Sequence, residues 1–285
     1  MKITLSQFAG FCDGVRRAFE IVSNLDMEKT KQPVFVLGSL VHNSDVVKKI
    51  EEKGIRKIDL ETFLQAKDGE IGTLIITAHG SGPMIYKVAK EKNIDLIDTT
   101  CPKVIKVQRL AQHFAKNGYA VILVGDKDHK EVRSIFEWAQ EKPIVISSEE
   151  ELKKVDLKDC KKIIVLSQTT QSIEFVNKTY DYLKEKYGET ERMDTICLAT
   201  DQRQSEIGKI SQENDAVVVI GSPESANSTR LFEIAKKINT KAVFIERVDM
   251  LNADFFTGVE SVAVTAGAST PSWIIEEVIE KLKGF

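Results

Sequence analysis

Six short apolar runs constrain this chain more than any other feature. They are Val34-Phe35-Val36-Leu37, Thr73-Leu74-Ile75-Ile76, Ala120-Val121-Ile122-Leu123-Val124, Ile163-Ile164-Val165-Leu166, Ala216-Val217-Val218-Val219-Ile220 and Val262-Ala263-Val264. Each is too short for a helix and too continuously apolar for a strand with one face in water. A parallel strand covered on both faces reads this way. Amphipathic helical patterns separate the runs, so the expected fold is α/β with mainly parallel sheets. Minor strands are expected at 143–146 and 241–245. A chain of 285 residues can bury a large core or divide into two or three domains.

Three of the four cysteines share a setting. In Asp98-Thr99-Thr100-Cys101-Pro102 an apolar approach gives way to a helical pattern through Val104, Val107, Leu110, Ala111 and Phe114. Pro102 suits a first helical turn, where its missing N–H costs nothing, and Thr99 and Thr100 are candidate caps. Phe11-Cys12-Asp13-Gly14-Val15 and Ile196-Cys197-Leu198-Ala199-Thr200 likewise precede helical patterns, at intervals of about 90 residues. The positive end of a helix favours thiolate, the metal-binding form of cysteine. Three cysteines so placed suggest three similar units meeting at one point. Grouping by cysteine gives domains 1–98 (Cys12, His42, His79), 99–195 (Cys101, His129, Glu131, Thr169) and 196–285 (Cys197, Ser225, Asn227, Ser269). Cys160, in a charged stretch, falls outside the pattern. Small buried hydrophobes, or a zinc site of three cysteines and a histidine, are the competing readings of the other three.

Polar residues gather just after the apolar runs. His42, His79, His129, Thr169, Asn227 and Ser269 all follow an expected strand end, the edge where open α/β sheets bind ligands. Gly38-Ser39, Gly80-Ser81-Gly82, Gly221-Ser222 and Gly267-Ala268-Ser269 lie among them. Such loops bring backbone N–H groups to an anion, and helix N-termini favour its charge. The alternative is ordinary capping by Thr169, Ser225, Asn227 and Ser269, and Glu131 by itself reads as an acid at a helix start.

The formal net charge of −3 leaves no general nucleic-acid footprint. No apolar run approaches the roughly 20 residues of a membrane span, and the N-terminus has no signal-peptide core. Four scattered cysteines suit a reducing cytosol better than a disulfide framework, so a cytoplasmic protein is expected.

Nine motifs together resemble the hydroxymethylbutenyl diphosphate reductase family, the last enzyme of the non-mevalonate isoprenoid pathway. They are the three cysteine segments, His42-Asn43, Ala78-His79-Gly80, His129-Lys130-Glu131-Val132, Gln168-Thr169-Thr170, Ser225-Ala226-Asn227-Ser228 and Ala266-Gly267-Ala268-Ser269. The resemblance implies three α/β domains in a trefoil around one 4Fe–4S cluster held by Cys12, Cys101 and Cys197, with the fourth iron left open. It implies a diphosphate pocket of His42, His79, His129, Ser225, Asn227 and Ser269, a proton-delivering Glu131 and its hydroxyl partner Thr169. Many members have a serine where this chain has Ala226. The implied reaction is two-electron reductive dehydration of an allylic alcohol diphosphate, supplied by a donor such as ferredoxin or flavodoxin. An electron-transfer iron–sulfur protein and a non-catalytic phosphometabolite-binding module are the alternatives from other classes.

Overall fold

The computed structural model describes residues 1–140 and 142–285. In chain order the elements are β1 (Lys2–Leu5), α1 (Asp13–Ser23), β2 (Val34–Leu37), α2 (Ser44–Glu52), β3 (Arg56–Ile58), α3 (Leu60–Gln65), β4 (Thr73–Ile76), α4 (Pro83–Glu91) and β5 (Asp95–Asp98). Then come α5 (Pro102–Lys116), β6 (Ala120–Val124), α6 (Lys130–Trp138), β7 (Ile144–Ile146), α7 (Glu149–Lys154), β8 (Ile163–Ser167), α8 (Ile173–Tyr187) and β9 (Thr190–Arg192). The last are α9 (Leu198–Gln212), β10 (Ala216–Ile220), α10 (Ala226–Ile238), β11 (Ala242–Ile245), β12 (Ser261–Ala266) and α11 (Ser272–Lys283).

The strands form three four-stranded sheets, ordered β3-β2-β4-β5, β7-β6-β8-β9 and β1-β12-β10-β11. Every pairing is parallel. All six apolar runs are strands, and β4, β8 and β10 are buried at every position. Both minor strands are present as β7 and β11.

The three sheets share one order. Numbering strands within each sheet, the first two sheets run 2-1-3-4. The third runs the same way once β10 is taken as its first strand, with β1 as its fourth. The N-terminal strand thus completes the sheet built by the last third of the chain, pairing Lys2 with Ser261 and Leu5 with Val264. Each fourth strand leads to a cysteine: β5 to Cys101, β9 to Cys197 and β1 to Cys12. The interval between the cysteines is therefore the interval between sheets.

The chain packs into two compact units. Met1–Arg16, Val41–Lys49 and Leu198–Phe285 make one, and Arg17–Leu40 with Ile50–Cys197 the other. In the first, Val218, Ile220, Val262 and Val264 pack with Ile274 and Val278 of α11 on one face of the sheet. Val217, Val219 and Ala263 pack with Ile207, Leu231 and Ala235 of α9 and α10 on the other. In the second unit, Val121, Leu123, Ile164 and Leu166 face α5 and α6, while Ile122, Val124, Ile163 and Val165 face α8. Each valine, leucine or isoleucine among them contributes about 1.5–3 kcal/mol by leaving water. Burial on both faces is why these strands lack alternation. No helix among the described residues is long and apolar enough to cross a membrane.

Candidate active site

The second unit holds Cys101, Cys197, His79, His129, Glu131 and Thr169, and the first holds Cys12, His42, Ser225, Asn227 and Ser269.

Cys101 is itself the N-cap of α5, with Pro102 in the first turn. Its N–H donates to Ala78 O at 3.0 Å, and its carbonyl accepts from Ile105 N at 3.0 Å. Thr99 and Thr100, expected as caps, do other work. The Thr99 hydroxyl turns back to Ile76 O at 2.5 Å. The N–H and hydroxyl of Thr100 both donate to Asp98 Oδ1. Asp98 also accepts from Tyr86 Oη at 2.9 Å, so one carboxylate sets the loop that presents the cysteine. Cys197 directly precedes α9, and its N–H donates to Thr169 O at 3.0 Å. In the first unit Cys12 precedes α1, donates its N–H to Ala268 O at 3.2 Å and accepts from Arg16 N at 2.8 Å. All three are half-buried, Cys160 is exposed, and none of the four is in a disulfide.

Glu131 and Thr169 form the most defined arrangement of the second unit. Glu131 sits in the first turn of α6 at 2% exposure. Thr169 donates its N–H to Oε1 at 2.7 Å and its hydroxyl to Oε2 at 2.8 Å. Burial pushes the Glu131 carboxyl up to about 7 from an ordinary 4.5, against these two hydrogen bonds, which pull it down. The hydrogen bonds are short and well placed, yet desolvation prevails. A carboxyl so poised holds a proton near neutral pH and can give it up there.

His129 caps α6, its Nδ1 accepting from Glu131 N at 3.2 Å. Its ring meets that of His79 edge to face, centroids 5.3 Å apart. The His79 carbonyl accepts from the Ser134 hydroxyl at 3.3 Å, and Ser134 Oγ accepts from Gln108 Nε2 at 3.1 Å. Gly80 follows at φ +78°, and a Cβ there would lie 2.7 Å from Gln108 Nε2. Gln168, fully buried, accepts from Asp126 N at 3.0 Å and so ties the loop after β6 to the loop after β8. Asp98 and Gln168 lie within sequence motifs that assign them no role, and Gln108 and Ser134 lie outside every motif. Gln108 carried a signal, since it shares the buried stripe of Val104, Val107 and Ala111 on α5.

In the first unit, Ser225 caps α10 and Ser269 follows β12. The Ser269 hydroxyl lies 3.4 Å from Ser225 Oγ and donates to His42 O at 3.1 Å. His42 Nδ1 lies 3.5 Å from Glu224 Oε2. Asn227 is buried, and its Nδ2 has no hydrogen-bond partner among the described residues. A buried amide donor in that state can take an acceptor from water or a ligand. Ser228, fully buried, donates to Ser225 Oγ at 3.0 Å and fills the space where Gly267 lacks a side chain. A Cβ on Gly267 would stand 1.9 Å from Ser228 Oγ. Gly267→Ala should therefore lower stability by about 1–3 kcal/mol through overpacking, measured by urea unfolding. An unchanged midpoint would contradict this packing.

Strand topology explains these positions. His42 and His79 follow β2 and β4, His129 and Thr169 follow β6 and β8, and Ser225 and Ser269 follow β10 and β12. Within each sheet these are the two central strands, where the order reverses and α/β sheets bind ligands. The residue types also suit an iron–sulfur group: a cysteine stands at each of three helix starts, with the fourth cysteine exposed and elsewhere.

The LytB protein family profile matches residues 3–283. A relative from Geotalea daltonii, called 4-hydroxy-3-methylbut-2-enyl diphosphate reductase, is 40% identical over 99% of this chain and 97% of its own length. One of the same name from Bacillus subtilis is 39% identical over 97% of this chain and 88% of its own. The solved structure of the E-1-hydroxy-2-methyl-but-2-enyl-4-diphosphate reductase from Plasmodium falciparum superposes with a TM-score of 0.91 at 33% identity, over 99% of this chain and 88% of that one. With a match along nearly its whole length, the chain belongs to the LytB protein family.

Proposed function

We propose that this chain is a 4-hydroxy-3-methylbut-2-enyl diphosphate reductase, the terminal oxidoreductase of the non-mevalonate pathway. The observation that carries the chemistry is the buried Glu131 carboxyl gripped by Thr169, with its proton held near neutrality. Family membership supplies the substrate class. Cys12, Cys101 and Cys197 are the residues that would hold one 4Fe–4S cluster. When bound, such a group supplies electrons singly and an open Lewis-acidic metal position. The division into domains at about residues 98 and 195 stays part of this reading, with the amendment that β1 belongs with the last of them.

The overall conversion breaks the allylic C–O bond, takes up two electrons and two protons, and releases water. The protein's own groups bind, orient and protonate. Loops after the central strands hold the diphosphate through His42, His79, His129, Ser225, Asn227 and Ser269. Where these bonds meet a charged phosphate oxygen they contribute about 1.5–3 kcal/mol each. Ala226 offers only its backbone N–H. Glu131 holds a proton at a carboxylate oxygen beside Thr169 Oγ1. Transfer through that hydroxyl to the leaving oxygen turns a poor leaving group into water. Protonation of the allylic product at either end gives isopentenyl or dimethylallyl diphosphate. A small one-electron carrier such as ferredoxin or flavodoxin supplies the electrons, and a cytoplasmic setting suits thiols kept reduced.

Asn227→Ala removes a buried donor that no described residue satisfies. It should raise the substrate KM more than it lowers kcat, with kcat/KM falling about 10–100-fold. An unchanged KM would remove Asn227 from the pocket. The proposal as a whole is tested by anaerobic turnover of the hydroxylated diphosphate with dithionite-reduced viologen. Both product diphosphates should form only with reductant present. Absence of turnover by protein of full iron and sulfide content would refute it.

A further inference from the structure

The exposed side of α5 is basic throughout. Lys103, Lys106, Arg109, His113 and Lys116 are its exposed side chains after Pro102, and the helix contains no acidic residue. The chain as a whole carries 43 acidic residues against 40 lysines and arginines, so a one-signed helix departs from its average. Helix stability does not explain the arrangement. Lys103 and Lys106 lie in the first turns, where the macrodipole opposes positive charge. None of Lys103, Lys106 and Arg109 forms an ion pair among the described residues. Another base, Arg17, reaches the same end of the helix, its Nη1 3.4 Å from Thr100 O, one residue before Cys101.

These charges border a shallow groove of about 540 Å³ lined by Pro102, Ile105, Lys106, Arg109, Leu110 and His113. Its floor is apolar and its rim cationic, which is the make-up of a protein docking patch. At about 1.5 Å per residue, Arg109 lies about 12 Å along the axis from Cys101.

We propose that this face of α5 docks the enzyme's electron donor, a small acidic one-electron carrier protein of the flavodoxin or ferredoxin class. The proposal rests on the reductase reading above. The occupant is argued from charge complementarity and from position: the basic face begins beside Cys101, so an acidic carrier seated on it lies next to a residue assigned to the redox site. Each docking event oxidises one carrier by one electron. Two such events, with two protons, balance the conversion of the allylic alcohol to alkene and water. Such encounters are small, transient and steered by charge.

The test is the triple charge reversal Lys103→Glu, Lys106→Glu, Arg109→Glu in the full-length holoenzyme, with Lys184→Glu on α8 as control. Two quantities are read: the affinity for a purified acidic flavodoxin, by titration at several salt concentrations, and turnover with that flavodoxin or with dithionite-reduced viologen. Binding to the unaltered enzyme should weaken steeply with salt. The triple variant should bind flavodoxin at least about 10-fold more weakly and lose that salt dependence, with viologen-driven turnover within about two-fold of normal. The control should match the unaltered enzyme in both. Undiminished flavodoxin binding by the triple variant would overturn the proposal. So would a parallel fall in viologen-driven turnover, or tighter binding of duplex DNA than of flavodoxin by the same face. Failure of the unaltered enzyme to turn over with viologen would instead count against the reductase reading, and the titration would still judge the docking face.

Discussion

Glu131→Gln should bind the diphosphate substrate normally and turn it over about 10²–10⁴-fold more slowly. Glutamine is nearly isosteric. Its carbonyl can still accept the Thr169 N–H, and its amide can donate to Thr169 Oγ1, so the pair that holds Glu131 in place survives. What is lost is the proton. The unaltered enzyme should show a rate that falls as pH rises through about 7, where the buried carboxyl gives up its proton. The variant should lack that limb.

Stability should fall over a neighbouring pH range. Burial raises this group from 4.5 to about 7, so the folded state favours the protonated acid. That contribution is complete below about 4.5 and is lost as pH rises to about 7, reaching about 3 kcal/mol. Glutamine does not titrate, so the variant should gain on the unaltered protein over that range. Urea unfolding at pH 5 and pH 8 measures it. Turnover near normal, or a stability difference independent of pH, would remove Glu131 from the role of proton donor.

Cys101→Ser should lose the iron–sulfur centre and with it all but background turnover, whereas Cys160→Ser should leave both intact. The change swaps a soft sulfur for a hard, weakly acidic oxygen at a position set by the Asp98–Thr100 turn and by the bond from Cys101 N to Ala78 O. Neither contact uses the side chain, so the fold should survive and the comparison is of ligation alone. Cys160 is exposed in a charged stretch and heads no helix. Iron and sulfide per chain, measured on both variants beside circular dichroism, decide the matter. Equal contents would exclude Cys101 as a ligand.

The central strands were legible because burial on both faces leaves an unbroken apolar run, as in β8 and β10. The edge strands β3 and β9 were not. Arg56-Lys57 and Thr190-Glu191-Arg192 carry polar residues on short segments, and only pairing with Phe35–Leu37 and Ile163–Val165 makes them strands. Nor could local pattern show that β1 pairs with β12 from the far end of the chain. The cysteines and strand-end histidines stood out because their residue types are scarce and their positions repeat. The residues that hold them did not. Asp98 reads as a strand-end acid until its three donors are seen, and Ser134 reads as a surface serine until it meets His79 O and Gln108. Glu131 shows the same limit. At a helix start it is an ordinary acid, and only its 2% exposure and the Thr169 contacts set it apart.

The most direct test of the whole account is iron-57 Mössbauer spectroscopy of anaerobically purified protein, before and after adding the hydroxylated diphosphate. Three cysteine ligands on a four-iron cluster leave one iron unlike the rest. The account predicts that this iron alone changes its signal when substrate arrives. A cluster whose irons are all alike and indifferent to substrate, or a protein that holds zinc in place of iron, would contradict it.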